Sequence, residues 1–238
     1  MKRPLLVALI ACLTFVSAGQ ALAEWLGPIP PIEPEATNPN GCAKECVCDV
    51  GEPVNIGSGA VSTSLALFTI TESPLPVELT LSYHSITLIP AGARRPLGEG
   101  WTHSFNMSLH PVSGGRLELI TAHGHHWFFT GTGPSTWMAT VPAASRDRID
   151  TSGGHYVLTT QEGERTLFDL GSGRWLSTSD RWGNTIRGLY DTEGNLSSVV
   201  DALERVFRFD HSGGLLTGIA LPGEGLTWQF IYSTQSQL

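Results

Sequence analysis

The sequence YDTEGNLSSVVDALER, residues 190–205, carries the pattern that decides the fold of this chain. It has degenerate neighbours on both sides, FDLGSGRWLSTSDRWGN at residues 168–184 and FDHSGGLLTGIAL at residues 209–221. Each of the three units begins with an aromatic residue followed by Asp, and the units recur about every 20 residues. Because this period is the length of one β-hairpin, the C-terminal third is predicted to be a series of hairpin repeats.

The residue types within each unit suit tight turns. An Asp carboxylate accepts hydrogen bonds from backbone N–H groups that a turn leaves unpaired, and Gly adopts the positive φ that a reversal requires. The predicted turn residues are Asp169, Gly173, Asp191, Gly194, Asn195, Asp210 and Gly213. A single hairpin cannot bury its apolar face alone, so neighbouring units are expected to stack.

Alternating side chains predict strands elsewhere as well. In residues 77–83, 101–109 and 226–232, apolar or aromatic side chains occupy every second position. This period of two is typical of a half-buried strand. No segment of residues 24–238 keeps a sustained helical period. The fold class is therefore predicted to be all-β.

The composition agrees with this class and narrows the partners. The chain has 238 residues, including 27 Gly and 15 Pro, and only 15% of the residues are charged. Such a mixture favours short strands joined by turns. The formal net charge is −8 and the only lysines are Lys2 and Lys44, so the basic surface typical of nucleic-acid-binding proteins is missing. Nucleic acid is not an expected partner.

The N-terminus predicts export. Lys2 and Arg3 precede an apolar stretch, and residues 21–23 (Ala-Leu-Ala) supply the small side chains that signal peptidase requires. Residues 1–23 are interpreted as a signal peptide, with cleavage between Ala23 and Glu24, so membrane contact is expected only through this segment. The alternatives are an uncleaved anchor and lipid attachment at Cys12.

A proline-rich spacer with a cysteine cluster is predicted at residues 24–50. Cys42, Cys46 and Cys48 lie within GCAKECVCD, and export to an oxidising compartment favours a disulfide between Cys42 and one of the other two. The odd count leaves one thiol over. A zinc site that includes Asp49 or a distant His is the alternative, although the spacing fits no standard pairing of zinc ligands.

The YD pattern of residues 190–205 resembles the repeats of the rearrangement-hotspot (Rhs) family. The preceding motifs are similar to the region before those repeats: GEPVNIGSGAVS at 51–62, LPVELTLSYHS at 75–85, GEGWTHSF at 98–105 and GRLELITAHGHHWFF at 115–129. The resemblance implies a β domain at residues 51–160 followed by YD-type hairpins at 161–238. Glu204 departs from the pattern because it stands where the repeat usually has Gly, and Leu221 replaces the second Asp of the third unit.

The resemblance also implies a structural function. Repeats of this family form an extended, spiral-like antiparallel sheet, a shell that in toxin members encloses a C-terminal toxic domain. About three repeats are too few to close a shell, so the chain is expected to be the N-terminal part of a longer Rhs-type protein or a shortened member. Its last strand would expose an unpaired edge. The expected partners are therefore the rest of a longer chain or a second copy.

Residues with metal-binding, catalytic or sugar-stacking chemistry offer alternatives to this interpretation. The histidines of AHGHHWFF (His123, His125 and His126) could ligate a metal, but they fit a polar hairpin tip better, and the regularly spaced Asp residues fit turns better than acid/base pairs. No catalytic residue, metal or cofactor is predicted. The second hypothesis is a cell-surface carbohydrate-binding module, in which Trp175 and Trp182 would stack on sugar rings.

Overall fold

The computed structural model describes residues 61–85, 93–142, 145–223, 225 and 227–233. Within these ranges the chain forms sixteen β-strands and no helix, which confirms the predicted all-β class. The strands are β1 (Ser62–Ile70), β2 (Val77–His84), β3 (Trp101–His103), β4 (Ser108–Val112), β5 (Arg116–Ile120), β6 (His126–Gly133), β7 (Thr136–Val141), β8 (Arg148–Ser152), β9 (His155–Thr159), β10 (Arg165–Asp169), β11 (Trp175–Ser179), β12 (Thr185–Tyr190), β13 (Leu196–Val200), β14 (Val206–Ser212), β15 (Leu215–Ala220) and β16 (Thr227–Gln229).

The strands form two antiparallel sheets. The first is small and has the order β1-β2-β3. The second is a meander of thirteen strands that runs from β4 to β16 in sequence order and does not close into a barrel. Successive turns of a meander lie alternately at the two ends of its strands. One end of the sheet therefore carries the turns at 169–174, 191–195 and 213–214. The opposite end carries those at 180–184 and 201–205.

The long sheet curls back on itself. The Leu109 N–H donates to the carbonyl oxygen of Gly173 over 2.8 Å, and the Trp175 N–H donates to the carbonyl oxygen of Met107 over 3.2 Å. Leu109 belongs to β4 and Trp175 begins β11, so the side of β4 that faces away from β5 meets the turn between β10 and β11. The sheet is consequently coiled rather than flat, in agreement with the predicted spiral-like arrangement.

One apolar core joins the two sheets. Phe68 of β1 stacks on Phe207 of β14 with the ring centroids 5.8 Å apart, and its centroid is 5.2 Å from that of Trp228 in β16. Phe105 packs on Trp175 with the centroids 5.4 Å apart. The buried cluster takes side chains from both sides of residue 160, where the sequence suggested a domain boundary. That boundary stays a prediction.

The expected strand at residues 101–109 is interrupted. The chain leaves the small sheet after β3 and enters the long sheet at β4, and the N–H of Asn106 bonds the carbonyl oxygen of His103 in the turn between them. His103, Phe105 and Leu109 are nevertheless all buried. Alternation placed these three side chains correctly on the buried face, but Thr102, expected on the opposite face, is buried too, and alternation cannot reveal that a strand changes sheets.

Candidate functional site

Three turns of the repeat region share one hydrogen-bond arrangement. The Oδ1 atom of Asp191 accepts the N–H groups of Glu193 (2.9 Å) and Asn195 (2.8 Å), and its Oδ2 atom accepts the Asn195 side chain (3.0 Å). The bond from the Asn195 side chain lowers the pKa of Asp191. Equivalent arrangements surround Asp180, with Asn184, and Asp201, with Arg205. In each turn the Asp carboxylate accepts hydrogen bonds from the backbone N–H groups.

The turn of the first unit has a related design. The Oδ1 atom of Asp169 accepts the Ser172 backbone N–H (2.7 Å) and hydroxyl (2.6 Å). Gly173 follows with a φ of 72°. A Cβ atom at Gly173 would lie 2.0 Å from the carbonyl oxygen of Leu109, so both the turn and the closure of the coil require glycine here.

The third unit differs from the prediction. Asp210 lies within β14, opposite Gly218, and is not a turn residue. The reversal is made by Gly213 and Gly214, whose φ values are 59° and 82°, between Ser212 and Leu215. Two consecutive positive-φ residues form a two-residue hairpin turn, which lets β14 continue beyond Asp210.

Strand pairing reveals a period of 21 residues that the sequence comparison misaligned. The pairs at equivalent positions are Ser177 with Arg187, Ser198 with Arg208, and Gly218 with Gln229; their second members are 21 residues apart, and their first members are 21 and then 20 residues apart. Three residues after the second member of each pair stand Tyr190, His211 and Tyr232. His211, not Phe209, is therefore the counterpart of Tyr190. Tyr232 begins a fourth unit that the sequence analysis missed, although its spacing from Tyr190 is twice the period.

The two tyrosines make the same contact. The Tyr190 hydroxyl donates to the carbonyl oxygen of Trp175, and the Tyr232 hydroxyl donates to that of Leu216, both over 2.5 Å. Burial raises the pKa of Tyr190 to about 12 and also raises the pKa of Tyr232. Both hydroxyls therefore remain protonated donors at neutral pH.

The expected pair of stacking tryptophans does not form. Trp175 is only 1% exposed, because its ring packs on Phe105 in the core, so the suggestion that it stacks on sugars is wrong. Trp182 is 72% exposed, and the guanidinium carbon of Arg181 lies 4.1 Å from its ring centroid. Only Trp182 of the proposed pair is available at the surface.

The histidine-rich segment forms the β5–β6 turn and the start of β6. Gly124 has a φ of 80° within this turn, and His123 and His125 are exposed beside it. His126 Nδ1 lies 2.7 Å from Glu118 Oε1. In the described part of the chain no three metal-ligating side chains converge. No helix in those ranges is long and apolar enough to cross a membrane.

Several predicted features lie outside the described residues. They are the signal peptide at 1–23 with its cleavage site at Ala23 and Glu24, and the proline-rich spacer at 24–50 with the disulfide candidates Cys42, Cys46 and Cys48.

The segment at residues 93–100, which leads into β3, fastens the small sheet to the repeats. Arg94 donates through Nη1 to Asn195 Oδ1 over 2.7 Å and through Nη2 to the carbonyl oxygen of Glu193. The carbonyl oxygen of Pro96 accepts the Leu216 N–H (2.7 Å) and the Tyr232 hydroxyl (3.3 Å). This segment therefore crosses two repeat units.

A polar cavity of about 620 Å³ lies next to this segment, at the end of the sheet that carries the turns at 169–174 and 191–195. Its lining includes Arg94, Arg174, Tyr190 and His211. Arg174 donates to the carbonyl oxygen of Gly194 over 3.3 Å, and its guanidinium carbon lies 4.7 Å from the Tyr190 ring centroid. The sequence offered no signal for this cavity, because its walls come from five separate segments.

Part of this chain matches a known family model. A family model described as "Domain of unknown function (DUF6531)" matches residues 51–129, about a third of the chain. Within that range lie β1 to β5, which form the small sheet and the beginning of the long sheet. The range begins and ends with the motifs that the sequence analysis placed before the repeats. No curated protein matches the chain. Over residues 51–129 the chain is thus similar to a domain whose function is uncharacterised.

Proposed function

We propose that this chain is a non-enzymatic, exported scaffold protein, the N-terminal part of an Rhs-type β-shell of the kind that in relatives encloses a C-terminal toxin. The observation that carries the proposal is the 21-residue strand register, which continues to β16 at the C-terminal end of the long sheet. Each unit adds two strands to one open sheet. Further units would extend the same coil without changing its geometry.

The two ends of the coil support a direction of growth. At the start, the outer edge of β4 is occupied by the turn at Gly173. At the other end, β16 pairs with β15 and with no other strand of the described residues. Beside it Ile231 is 84% exposed. An unpaired edge with an exposed apolar side chain is a template for another strand, so new strands would add at β16 only.

The small sheet supports the assignment of this chain to the beginning of a shell. Phe68 brings β1 against both β14 and β16, and segment 93–100 bonds strand β15. The inner face of the first coil is therefore filled by residues that precede it in sequence. The predicted signal peptide supports an exported location, in the periplasm, on the cell surface or in the medium.

The test is size-exclusion chromatography with light scattering on this 238-residue chain, exported to an oxidising compartment. We expect open-ended oligomers whose mass rises with concentration. Gln229→Lys places a charge on the exposed edge strand and should reduce this association, because lysine on an edge opposes strand pairing. Gln161→Lys, in the exposed β9–β10 turn, is the matched control. A compact monomer at every concentration would instead favour a self-contained binding module.

The alternative function, a cell-surface carbohydrate-binding module, is favoured by the exposure of Trp182. Titration of glycans monitored by tryptophan fluorescence tests it. A response that Trp182→Ala removes would support this function over the scaffold.

A further inference from the structure

The cavity coincides with a break in the repeat. His211 lines the cavity and occupies the position held by tyrosine at 190 and 232. The two tyrosines reach the carbonyl oxygens of Trp175 and Leu216, and the equivalent carbonyl for position 211 belongs to Leu196, which also lines the cavity. An imidazole is shorter than a phenol. The chain therefore has open polar space where its own pattern would place a tyrosine, and such departures from a local pattern concentrate at functional sites.

Two arginines bring positive charge to this space. Arg94 bonds Asn195 Oδ1 and the carbonyl oxygen of Glu193, while Arg174 bonds the carbonyl oxygen of Gly194 and, over 3.0 Å, the Ser172 hydroxyl. All of these acceptors are uncharged. Among the described residues neither arginine forms an ion pair, and no hydrogen bond uses Arg174 Nη2. The guanidinium groups are thus held in place with no carboxylate hydrogen-bonded to them in the described part of the chain, and the nearest charge effect is that of Arg174 on Asp169, where it adds to the hydrogen bonds from Ser172 in lowering the pKa of the carboxyl group.

The acidic side chains beside the cavity are already engaged. Asp191 accepts three hydrogen bonds within its own turn, and Glu193 Oε2 accepts the Asn195 side chain over 3.4 Å. Burial lowers the pKa of His211, so its imidazole is neutral at pH 7 and contributes a hydrogen-bonding group rather than a charge. The site thus combines two fixed cations with an uncharged polar partner.

We propose that this cavity binds a small polar molecule that carries a carboxylate. The ligand's carboxylate would accept hydrogen bonds from Arg174, at a position where Arg94 and His211 lie nearby. Guanidinium groups prefer carboxylate partners because the pair combines charge with matched donor and acceptor geometry. The volume lies within the range of about 300–1,000 Å³ that small-molecule sites occupy. The proposal does not depend on the scaffold function, because the cavity lies at the end of the sheet that carries the turns, whereas the scaffold function depends on the edge strand β16.

Calorimetric titration of the full chain tests the proposal with glucuronate and glutamate as carboxylate probes. Glucose and inorganic phosphate serve as the uncharged and tetrahedral comparisons. We expect at least one carboxylate probe to bind, with glucose at least about tenfold weaker, as the loss of a charged hydrogen bond implies. Arg174→Gln should weaken binding by a similar factor. His211→Tyr should abolish binding by filling the cavity while the arginines remain.

Arg208→Gln is the matched control, since Arg208 is exposed and does not line the cavity. It should bind the probe as the unaltered protein does. Circular dichroism establishes that each variant is folded, and if His211→Tyr fails to fold, Arg174→Gln decides. The proposal is overturned if neither carboxylate binds at millimolar concentration, if glucose binds equally well, if phosphate alone binds, or if Arg174→Gln has no effect.

Discussion

Tyr190 and Tyr232 occupy equivalent positions two repeat units apart, and each hydroxyl donates over 2.5 Å to a carbonyl oxygen near the start of an earlier strand. The acceptors, Trp175 and Leu216, follow the turns at 169–174 and 213–214, which lie at the same end of the sheet. Donor and acceptor lie on neighbouring strands, β12 with β11 and the end of β16 with β15, so the bond joins the two open ends of one hairpin in addition to its backbone hydrogen bonds. This contact gives the tyrosine of the repeat a physical function.

Tyr190→Phe and Tyr232→Phe are therefore each expected to destabilise the fold. The lost hydrogen bond corresponds to about 1 kcal/mol in the free energy of unfolding, and the carbonyl left behind adds to the cost. Urea unfolding followed by circular dichroism measures the change. Tyr156→Phe is the control, because Tyr156 is also a buried residue but its hydroxyl makes no hydrogen bond among the described residues. Equal effects at positions 156 and 190 would contradict the assigned function.

Gly173→Ala is expected to be far more damaging than a typical glycine substitution. Its Cβ atom would meet the Leu109 carbonyl oxygen at 2.0 Å, which neither backbone segment can accommodate without opening the coil. Gly183→Ala provides the comparison, since Gly183 also has a positive φ, of 91°, but open space around its Cβ position. We expect a loss of about 1 kcal/mol at Gly183 and at least about 3 kcal/mol at Gly173 in thermal or urea unfolding. Similar losses at both sites would show that the contact with β4 is not required.

The sequence was sufficient to predict the hairpin repeat because its determinants are local. Asp191 and Asn195 are the first and last residues of a turn only five residues long and bond each other within it, so their identities indicate that turn directly. The same locality explains the error at Asp210. A Gly-Gly turn shifts the reversal by two residues and keeps the alternation of the strand intact, so the pattern of Phe209 and Asp210 imitates a turn that is not there.

The cavity and the closure of the coil could not be predicted in this way. Arg94 reaches Asn195 across a separation of 101 residues, and Leu109 meets Gly173 across 64. Such contacts depend on the accumulated twist and curvature of many strands, which no short motif encodes. The burial of Trp175 has the same origin, since the chain that covers it precedes β4.

Glu204 carries a strained backbone that the sequence analysis had located as a departure from glycine. Its φ is 62°, and its side chain pairs with Arg187 over 2.5 Å. Glu204→Gly should relieve the strain, and Glu204→Gln should retain the strain while removing the charge. We expect the Gly variant to be more stable than the Gln variant by about 1 kcal/mol, because the exposed ion pair contributes little. A Gln variant as stable as the Gly variant would contradict backbone strain at this position.

The stability of the fold should depend on pH through His103. This side chain is 2% exposed and packs on Phe209, and its burial, reinforced by the nearby His211, lowers its pKa to about 3. Below a pH of about 6.5 the unfolded chain takes up a proton that the folded chain excludes, so the free energy of unfolding falls as the pH decreases toward 3. The slope from this one group reaches about 1.4 kcal/mol per pH unit.

His103→Asn isolates this contribution. Asparagine can still accept the N–H of Phe105, which now bonds His103 Nδ1 over 3.2 Å, but it does not titrate. The variant loses packing on Phe209 and starts less stable, so the informative quantity is the slope of unfolding free energy against pH between 4.5 and 7.5. Over that range the turn aspartates, whose pKa values are lowered from 3.8, remain ionised. We expect a shallower slope for His103→Asn and an unchanged slope for the exposed His123→Asn, and equal slopes in all three proteins would rule out His103 as the titrating group.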